Sequence, residues 1–391
     1  MPFFLDMSAA CRPAKHIYSV SSVQPRGIFA MKRSTNMMIA IALGVLMAGS
    51  LMPDISAGAR TSLPTSHMIA NIPYHQQMNG LSCGAGSLEM VFDYWGPHVD
   101  QKEIMNVART SVNGIWAPDI VRTGQFSNLS SPMGSFFPNV GPDTGFTERG
   151  LGYAAFGFSS ERFWLPELKT LIANDIPVIV CMTSAPDGGG GHFRVVMGYD
   201  DARSLVYFID TWGRDTLHLN NWTGIFPWTY ADFQSGWNYV EYGTHPYFGV
   251  VVLPWTVNVG VKGKPMAGST LSVTASITYP CPMPFDKTLF PASDAFARIS
   301  VPTGMTLVKS SAQVPLGTMS AGATTTVTWT VHCDQNCGGM FISVTAGGLV
   351  TGHVPDILTI YVPDSRENGQ TKYYPAYDYT DMIGGEGALV L

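Results

Sequence analysis

A thiol attacks a carbonyl carbon only as the thiolate, and the start of a helix favours that form because unpaired backbone N–H groups and the helix dipole stabilise negative charge. Cys83 has that placement. Leu88, Val91, Phe92 and Trp95 recur at helical spacing and Gly96-Pro97 ends the run, which predicts a helix over 83–95 with Cys83 at its first position. Gly84 and Ala85 leave the sulfur open, whereas a structural cysteine usually sits within the apolar stripe.

A thiolate of this kind needs a base, and His192 is the histidine placed for the task. It follows the run Gly188 to Gly191 and opens an apolar β-rich segment. Glycines there let a substrate backbone approach closely; the plainer reading of the run is a turn. A phosphate loop is excluded, since no Lys-Ser/Thr pair follows the glycines. His75, His98, His218 and His245 lack such a setting and read as surface or packing histidines. Asp210 ends the β-rich run from Leu205, and a carboxylate there accepts from the second imidazole nitrogen and sets its tautomer. The segments 192–199 and 205–210, joined by 200–204, predict an antiparallel hairpin that brings Asp210 beside His192. Asp200 competes for the role, but in the hairpin turn it lies at the far end. A strand-end aspartate is also a common turn former.

Gln77 stands six residues before Cys83, and its amide N–H together with the N–H of Cys83 would form an oxyanion hole. Gln76 is the rival, and for either glutamine the plain alternative is a solvated loop amide.

The order Gln77…Cys83-Gly84…Gly191-His192-Phe193…Asp210 resembles the bacteriocin-leader-processing (double-glycine) cysteine peptidases and their secreted relatives, over roughly residues 68–253. The resemblance implies a papain-like fold and peptide or protein substrates. It implies Cys83 as nucleophile, His192 as general base, Asp210 as its orienter and Gln77 as oxyanion donor. Members often follow the aspartate with proline; here Thr211-Trp212 follows, and the stretch from Ser111 to Ser160 is longer than usual.

The elements that must carry these residues divide the chain. From Ile72 to Leu253 helical and strand patterns mix: after the Cys83 helix, Pro166 to Asn174 reads as a helix opened by proline and Val178 to Met182 as a strand. The Gly-, Pro-, Ser- and Asn-rich stretch from Ser111 to Ser160 reads as irregular surface around a cleft. Past Pro254, Leu271, Val273, Ala275 and Ile277 alternate with polar residues, as do 324–331 and 340–345. The expected class is therefore α+β, a papain-like domain over 60–253 followed by an all-β sandwich over 255–391, immunoglobulin-like by analogy only, because Trp329 stands four residues before Cys333. Residues 60–253 hold every motif, so they are expected to be a self-sufficient catalytic unit with the sandwich as an adaptor for a cell-surface or wall ligand. The tail tyrosines Tyr373, Tyr374, Tyr377 and Tyr379 carry no reading.

Residues 1–59 read as a presequence. Met31-Lys32-Arg33 is a positive start, Met37 to Met52 an apolar run and Ala57-Gly58-Ala59 a small-residue cleavage signature, so a signal peptide over 31–59 and a secreted or cell-surface protein are expected. An uncleaved membrane anchor is the alternative. The net charge is -6, and loss of residues 1–59 removes five basic and two acidic residues to leave -9. With no basic run beyond the N-terminus, nucleic acid is excluded as a partner. Cys281, Cys333 and Cys337 invite one disulfide in an oxidising compartment. With His332 they lack the paired close spacings of a zinc site, so neither metal nor cofactor is expected. The competing function classes are acyl transfer of transglutaminase type by the same triad, and an inactive peptidase-like surface-binding protein.

Overall fold

The computed structural model describes residues 62–96, 98–111, 113–130, 149–213, 224–240, 245–283, 285–288, 290–359 and 372–391. The presequence, Cys11 and His218 lie outside them.

The first body interleaves helices with one antiparallel sheet. Its elements in chain order are β1 (Ser66–Met68), α1 (Cys83–Trp95), α2 (Gln101–Val107), α3 (Ala117–Gln125), β2 (Ala154–Ser159), α4 (Pro166–Ala173), β3 (Val178–Ala185), β4 (Gly188–Asp200), β5 (Leu205–Asp210), β6 (Ile225–Thr229), α5 (Tyr230–Trp237) and β7 (Phe248–Leu253). The strands form a seven-stranded sheet ordered β2-β7-β3-β4-β5-β6, with β1 added alongside β4. β3 to β6 are successive antiparallel neighbours, and short turns join β3 to β4 and β4 to β5. The glycine run closes the β3–β4 hairpin, where Ala185 pairs with Gly188.

α1 packs against β4 and is buried from Cys83 to Phe92. Leu88, Val91 and Phe92 are fully buried, and Trp95 donates its indole N–H to the carbonyl of Val252 at 2.7 Å. The helix approaches the sheet closely because its first turn is small. A Cβ on Gly84 would meet the Phe193 ring at 3.2 Å and Ile115 at 3.0 Å, and one on Gly86 would meet Thr211 at 3.1 Å. These two glycines set the helix that begins with Cys83 against the strands that carry His192 and Asp210.

The stretch from Ser111 to Ser160 is not all irregular surface. It contains α3, with Ala117, Asp119, Ile120, Arg122 and Thr123 buried, and β2, which pairs with β7 along its whole length. Arg109 and Asp119 satisfy each other at 2.6 and 2.9 Å inside the protein, which lets charged residues occupy the core.

The second body is all β: β8 (Thr256–Lys262), β9 (Thr270–Thr278), β10 (Ala292–Ser300), β11 (Met305–Leu307), β12 (Gln313–Met319), β13 (Thr324–Cys333), β14 (Phe341–Val354), β15 (Ile357–Thr359), β16 (Lys372–Tyr374) and β17 (Tyr377–Val390). Two four-stranded antiparallel sheets, β12-β10-β14-β17 and β11-β13-β9-β8, share a core, and a two-stranded ribbon pairs β15 with β16. The alternation is strict on β9, where Leu271, Val273, Ala275 and Ile277 are all fully buried. The tail tyrosines belong to structure after all: Tyr377 and Tyr379 lie on β17, which pairs with β14 over its full length.

The two bodies share packing and charge. Phe285 sets its ring 5.1 Å from that of Phe156 and also packs on Phe158 and Phe163. Arg109 donates to the carbonyls of Pro355 and Pro375, at 2.9 and 3.0 Å. Arg122 faces Asp381 of β17 at 3.3 Å, both buried. The five cysteines among the described residues are all thiols, so the disulfide expected within Cys281, Cys333 and Cys337 is not formed; the sulfurs of Cys333 and Cys337 are near enough to hydrogen-bond.

Candidate active site

Cys83 is the first residue of α1 and is 8% exposed. His192 lies on β4, opposite Met182 of β3, and Asp210 ends β5. The β4–β5 ladder places Arg194 directly opposite Asp210, and His192, two residues earlier, shares Arg194's face of the sheet. His192 Nε2 contacts Asp210 Oδ1 at 2.7 Å, and the imidazole hydrogen-bonds the Cys83 sulfur on its other side. With Nε2 engaged by the carboxylate, the nitrogen facing the sulfur is Nδ1. Three residues far apart in sequence thus form one hydrogen-bonded chain, and Asp200 stands at the opposite end of the hairpin, paired with Leu205.

Burial pushes the Cys83 thiol up, but the hydrogen bond and charge of His192, with the backbone N–H groups of Phe193 and Gly84, outweigh it and leave the thiol below its ordinary value. Burial alone lowers His192; Asp210 and Cys83 reverse that and push it up to about 9, against the opposing charge of Arg194. Burial disfavours the Asp210 carboxylate, yet His192, Arg194 and the N–H of Trp212 hold it well below the usual carboxylate range. All three shifts favour a thiolate facing an imidazolium, the reactive form of a cysteine nucleophile.

Arg194 is a component that the sequence reading missed. Its Nε donates to Asp210 Oδ2 at 2.8 Å, and Nη1 and Nη2 donate to the carbonyls of Thr183 and Ser184 at 2.7 Å each. The guanidinium lies over the rings of Phe208 and Trp228. An arginine inside the apolar run Phe193 to Met197, two residues after the histidine, was the available signal.

Gln77 and Gln76 are clearly different in the fold. Gln77 is 6% exposed, whereas Gln76 faces solvent. Gln77 accepts from the Thr211 hydroxyl at 2.7 Å through Oε1 and donates its backbone N–H to the Thr211 carbonyl at 2.9 Å. Its Nε2 donates to the carbonyl of Asn79 at 2.7 Å, which leaves a second N–H for another acceptor. Asn79 in turn donates its backbone N–H to Ser82 Oγ at 3.1 Å, next to Cys83 in the chain. The glutamine is therefore tied to the residue after Asp210 on one side and to the residue before Cys83 on the other. His75 and His98 are not isolated packing residues either, since both face the acidic side chains Glu89 and Asp93 of α1.

The model of the Peptidase_C39 like family matches residues 69–244. Among solved structures, xylellain, a cysteine protease from Xylella fastidiosa, is 15% identical over 49% of this chain and 87% of that chain, with a TM-score of 0.34. The comparison with curated proteins returns no match. The matched segment contains Gln77, Cys83, His192 and Asp210 in their hydrogen-bonded setting, and nothing in the match reaches the second body. Residues 69–244 thus carry a domain that matches the Peptidase_C39 like family, and the protein that carries it is a cysteine-type peptidase.

Proposed function

We propose that the protein is a secreted cysteine peptidase that hydrolyses peptide bonds through Cys83, His192 and Asp210 by way of an acyl-enzyme, with Gln77 and the Cys83 N–H stabilising the oxyanion. The observation that carries this reading is the hydrogen-bonded chain from Asp210 through His192 to Cys83, 2.7 Å at its carboxylate end. The Cys83 thiolate adds to the carbonyl carbon of the scissile bond, and the carbonyl oxygen takes up the negative charge. As the oxyanion collapses, the C–N bond breaks and the His192 imidazolium gives its proton to the leaving amine. Water then adds to the thioester while the neutral imidazole takes its proton, and collapse returns the thiolate and frees the acid. Asp210 holds the ring in the tautomer that presents Nδ1 to sulfur, and Arg194 holds Asp210.

The secreted location rests on the presequence pattern of residues 31–59, and the adaptor role of the second body, immunoglobulin-like only in its strand pattern, rests on the placement of Gln77, Cys83, His192 and Asp210 together in the first body. Incubation with a peptide ester, followed by intact and peptide-level mass spectrometry, tests the reaction. An acyl adduct on Cys83 that turns over to free acid is expected, and its absence from folded protein is the result that would sink the reading. Adding a primary amine separates hydrolysis from acyl transfer: an amide product in place of acid would assign the same triad to a transferase.

A further inference from the structure

Further along α1 from Cys83, two histidines and two carboxylates converge. Glu89 and Asp93, four residues apart, project from the same helix face, and His75 and His98 come to them from the segments before and after the helix. One nitrogen of each ring and one Asp93 oxygen lie within 4.8 Å of one another. The nitrogens nearest Asp93 Oδ2 are His75 Nε2 at 2.8 Å and His98 Nδ1 at 4.0 Å. The opposite nitrogens, His75 Nδ1 and His98 Nε2, both lie 3.6 Å from a single oxygen, Glu89 Oε1.

That arrangement has the two layers of a histidine metal site. Ligating imidazoles present one nitrogen to the ion and donate the other N–H to a carboxylate, which sets tautomer and ring direction. Here one oxygen of a buried carboxylate, whose side chain is 7% exposed, lies 3.6 Å from the outer nitrogen of both rings, just beyond hydrogen-bond distance, so a small closing movement would let it serve both. Its other oxygen is already held, since Gln101 Nε2 donates to Glu89 Oε2 at 2.5 Å, so Oε1 is aimed at the histidines by an independent contact. A tetrahedral ion with bonds of about 2.0–2.1 Å separates its ligand atoms by about 3.3 Å, between the 2.8 and 4.0 Å found here, so small opposite movements of the two rings suffice. The side chains of His75, Asp93 and His98 are 24%, 28% and 52% exposed, which leaves an entry path for the ion and a position for water. Two imidazole nitrogens and one carboxylate oxygen suit zinc and its neighbours over calcium or magnesium, which take oxygen ligands.

We propose that His75, His98 and Asp93 bind a zinc-class divalent ion, with Glu89 as the shared acceptor behind both rings. The ion would clamp the strand of chain that enters the active site. Gln101 connects Glu89 to the segment bearing the oxyanion glutamine, accepting from the N–H of Met78 at 2.8 Å and donating to the carbonyl of Gln76 at 3.2 Å. The site is thus structural, and its occupancy is independent of the peptidase chemistry.

The test uses the Cys83→Ala protein, because a thiolate beside an imidazole would itself take zinc. After chelator dialysis, Zn2+ and Ca2+ are titrated separately by calorimetry, and thermal melting is followed with and without Zn2+. One Zn2+ per chain in the micromolar range or tighter, a higher melting temperature with Zn2+, and no saturable Ca2+ binding are expected. Adding His98→Ala should weaken Zn2+ binding by about 100-fold or more, while His353→Ala, in an exposed His–Asp pair of the second body, should leave it unchanged. Asp93→Asn serves as the second ligand variant should His98→Ala fail to fold, and circular dichroism reports folding for each. Absence of Zn2+ saturation, Ca2+ binding of equal strength, or Zn2+ binding indifferent to both ligand variants would overturn the assignment.

Discussion

Arg194 Nε donates to Asp210 Oδ2 at 2.8 Å from the position directly across the β4–β5 ladder, while His192 takes Oδ1 of the same carboxylate at 2.7 Å. Both oxygens of Asp210 are thereby committed, and its direction is set in part by a guanidinium that is itself bonded to two carbonyls of β3. The histidine's partner is held by the sheet through Arg194 and, at Oδ1, also by the backbone N–H of Trp212 just past the end of β5, at 2.8 Å.

Arg194→Met should be costly to both stability and rate. Leaving a buried charge without its partner typically costs about 3–5 kcal/mol, and a loosened Asp210 no longer fixes the imidazole. Because the charge of Arg194 opposes protonation of His192, its loss should also move the alkaline limb of activity upward. Melting temperature and a kcat/KM profile against pH check both; a variant that matches the parent in each would show Arg194 to be dispensable.

The pH profile should follow the ion pair. Below the lowered value of Cys83 the thiolate is protonated, and above about 9 His192 loses the proton that it must give to the leaving amine, so activity should fall on both sides. Asp210→Asn removes the charge that raises His192, so the alkaline limb should shift toward its ordinary value of about 6.5. An alkaline limb unmoved by that substitution would separate Asp210 from the histidine's titration.

Gln77→Ala should lower kcat by about 10- to 1000-fold with little change in KM, as expected of a donor that acts on the transition state. Gln76→Ala should do much less, consistent with its solvent-facing position. Steady-state kinetics on one peptide ester decides, and equal effects would remove the oxyanion role from Gln77.

Thiol labelling separates Cys83 from Cys181. Cys181 is 3% exposed within the apolar strand β3, whereas Cys83 is stabilised as thiolate by His192 and two backbone N–H groups. Iodoacetamide at mildly acidic pH should modify Cys83 first, and His192→Ala should move that labelling to higher pH. Preferential modification of Cys181, read by peptide mapping, would contradict the ion pair.

A fragment ending at Leu253 should keep Cys83 labelling but melt at lower temperature and aggregate. It would bare Phe156, Phe158 and Phe163, which Phe285 covers, and would strip Arg122 of Asp381. Differential scanning calorimetry of fragment and full chain is the check. Equal melting temperatures would support the reading in which residues 60–253 are self-sufficient.

The sequence by itself determined the local elements. Periodicity placed α1 at 83–95, the 192–210 hairpin and the alternating strand β9, because each depends on contacts within a few residues of chain. It also singled out Cys83, His192 and Asp210, since a helix start, a strand start and a strand end are local properties. Tertiary structure alone decided what those elements meet. Charged α3 reads as loop chemistry until Arg109, Asp119, Arg122 and Asp381 are seen to pair inside the protein, over separations as long as 259 residues. Arg194 looks like an anomaly in a strand until the ladder register sets it opposite Asp210, and His75 and His98 look solitary until α1 brings Glu89 and Asp93 between them. Burial of a charge is favourable only when its partner is present, and in this fold the partners come from distant parts of the chain that no local pattern connects.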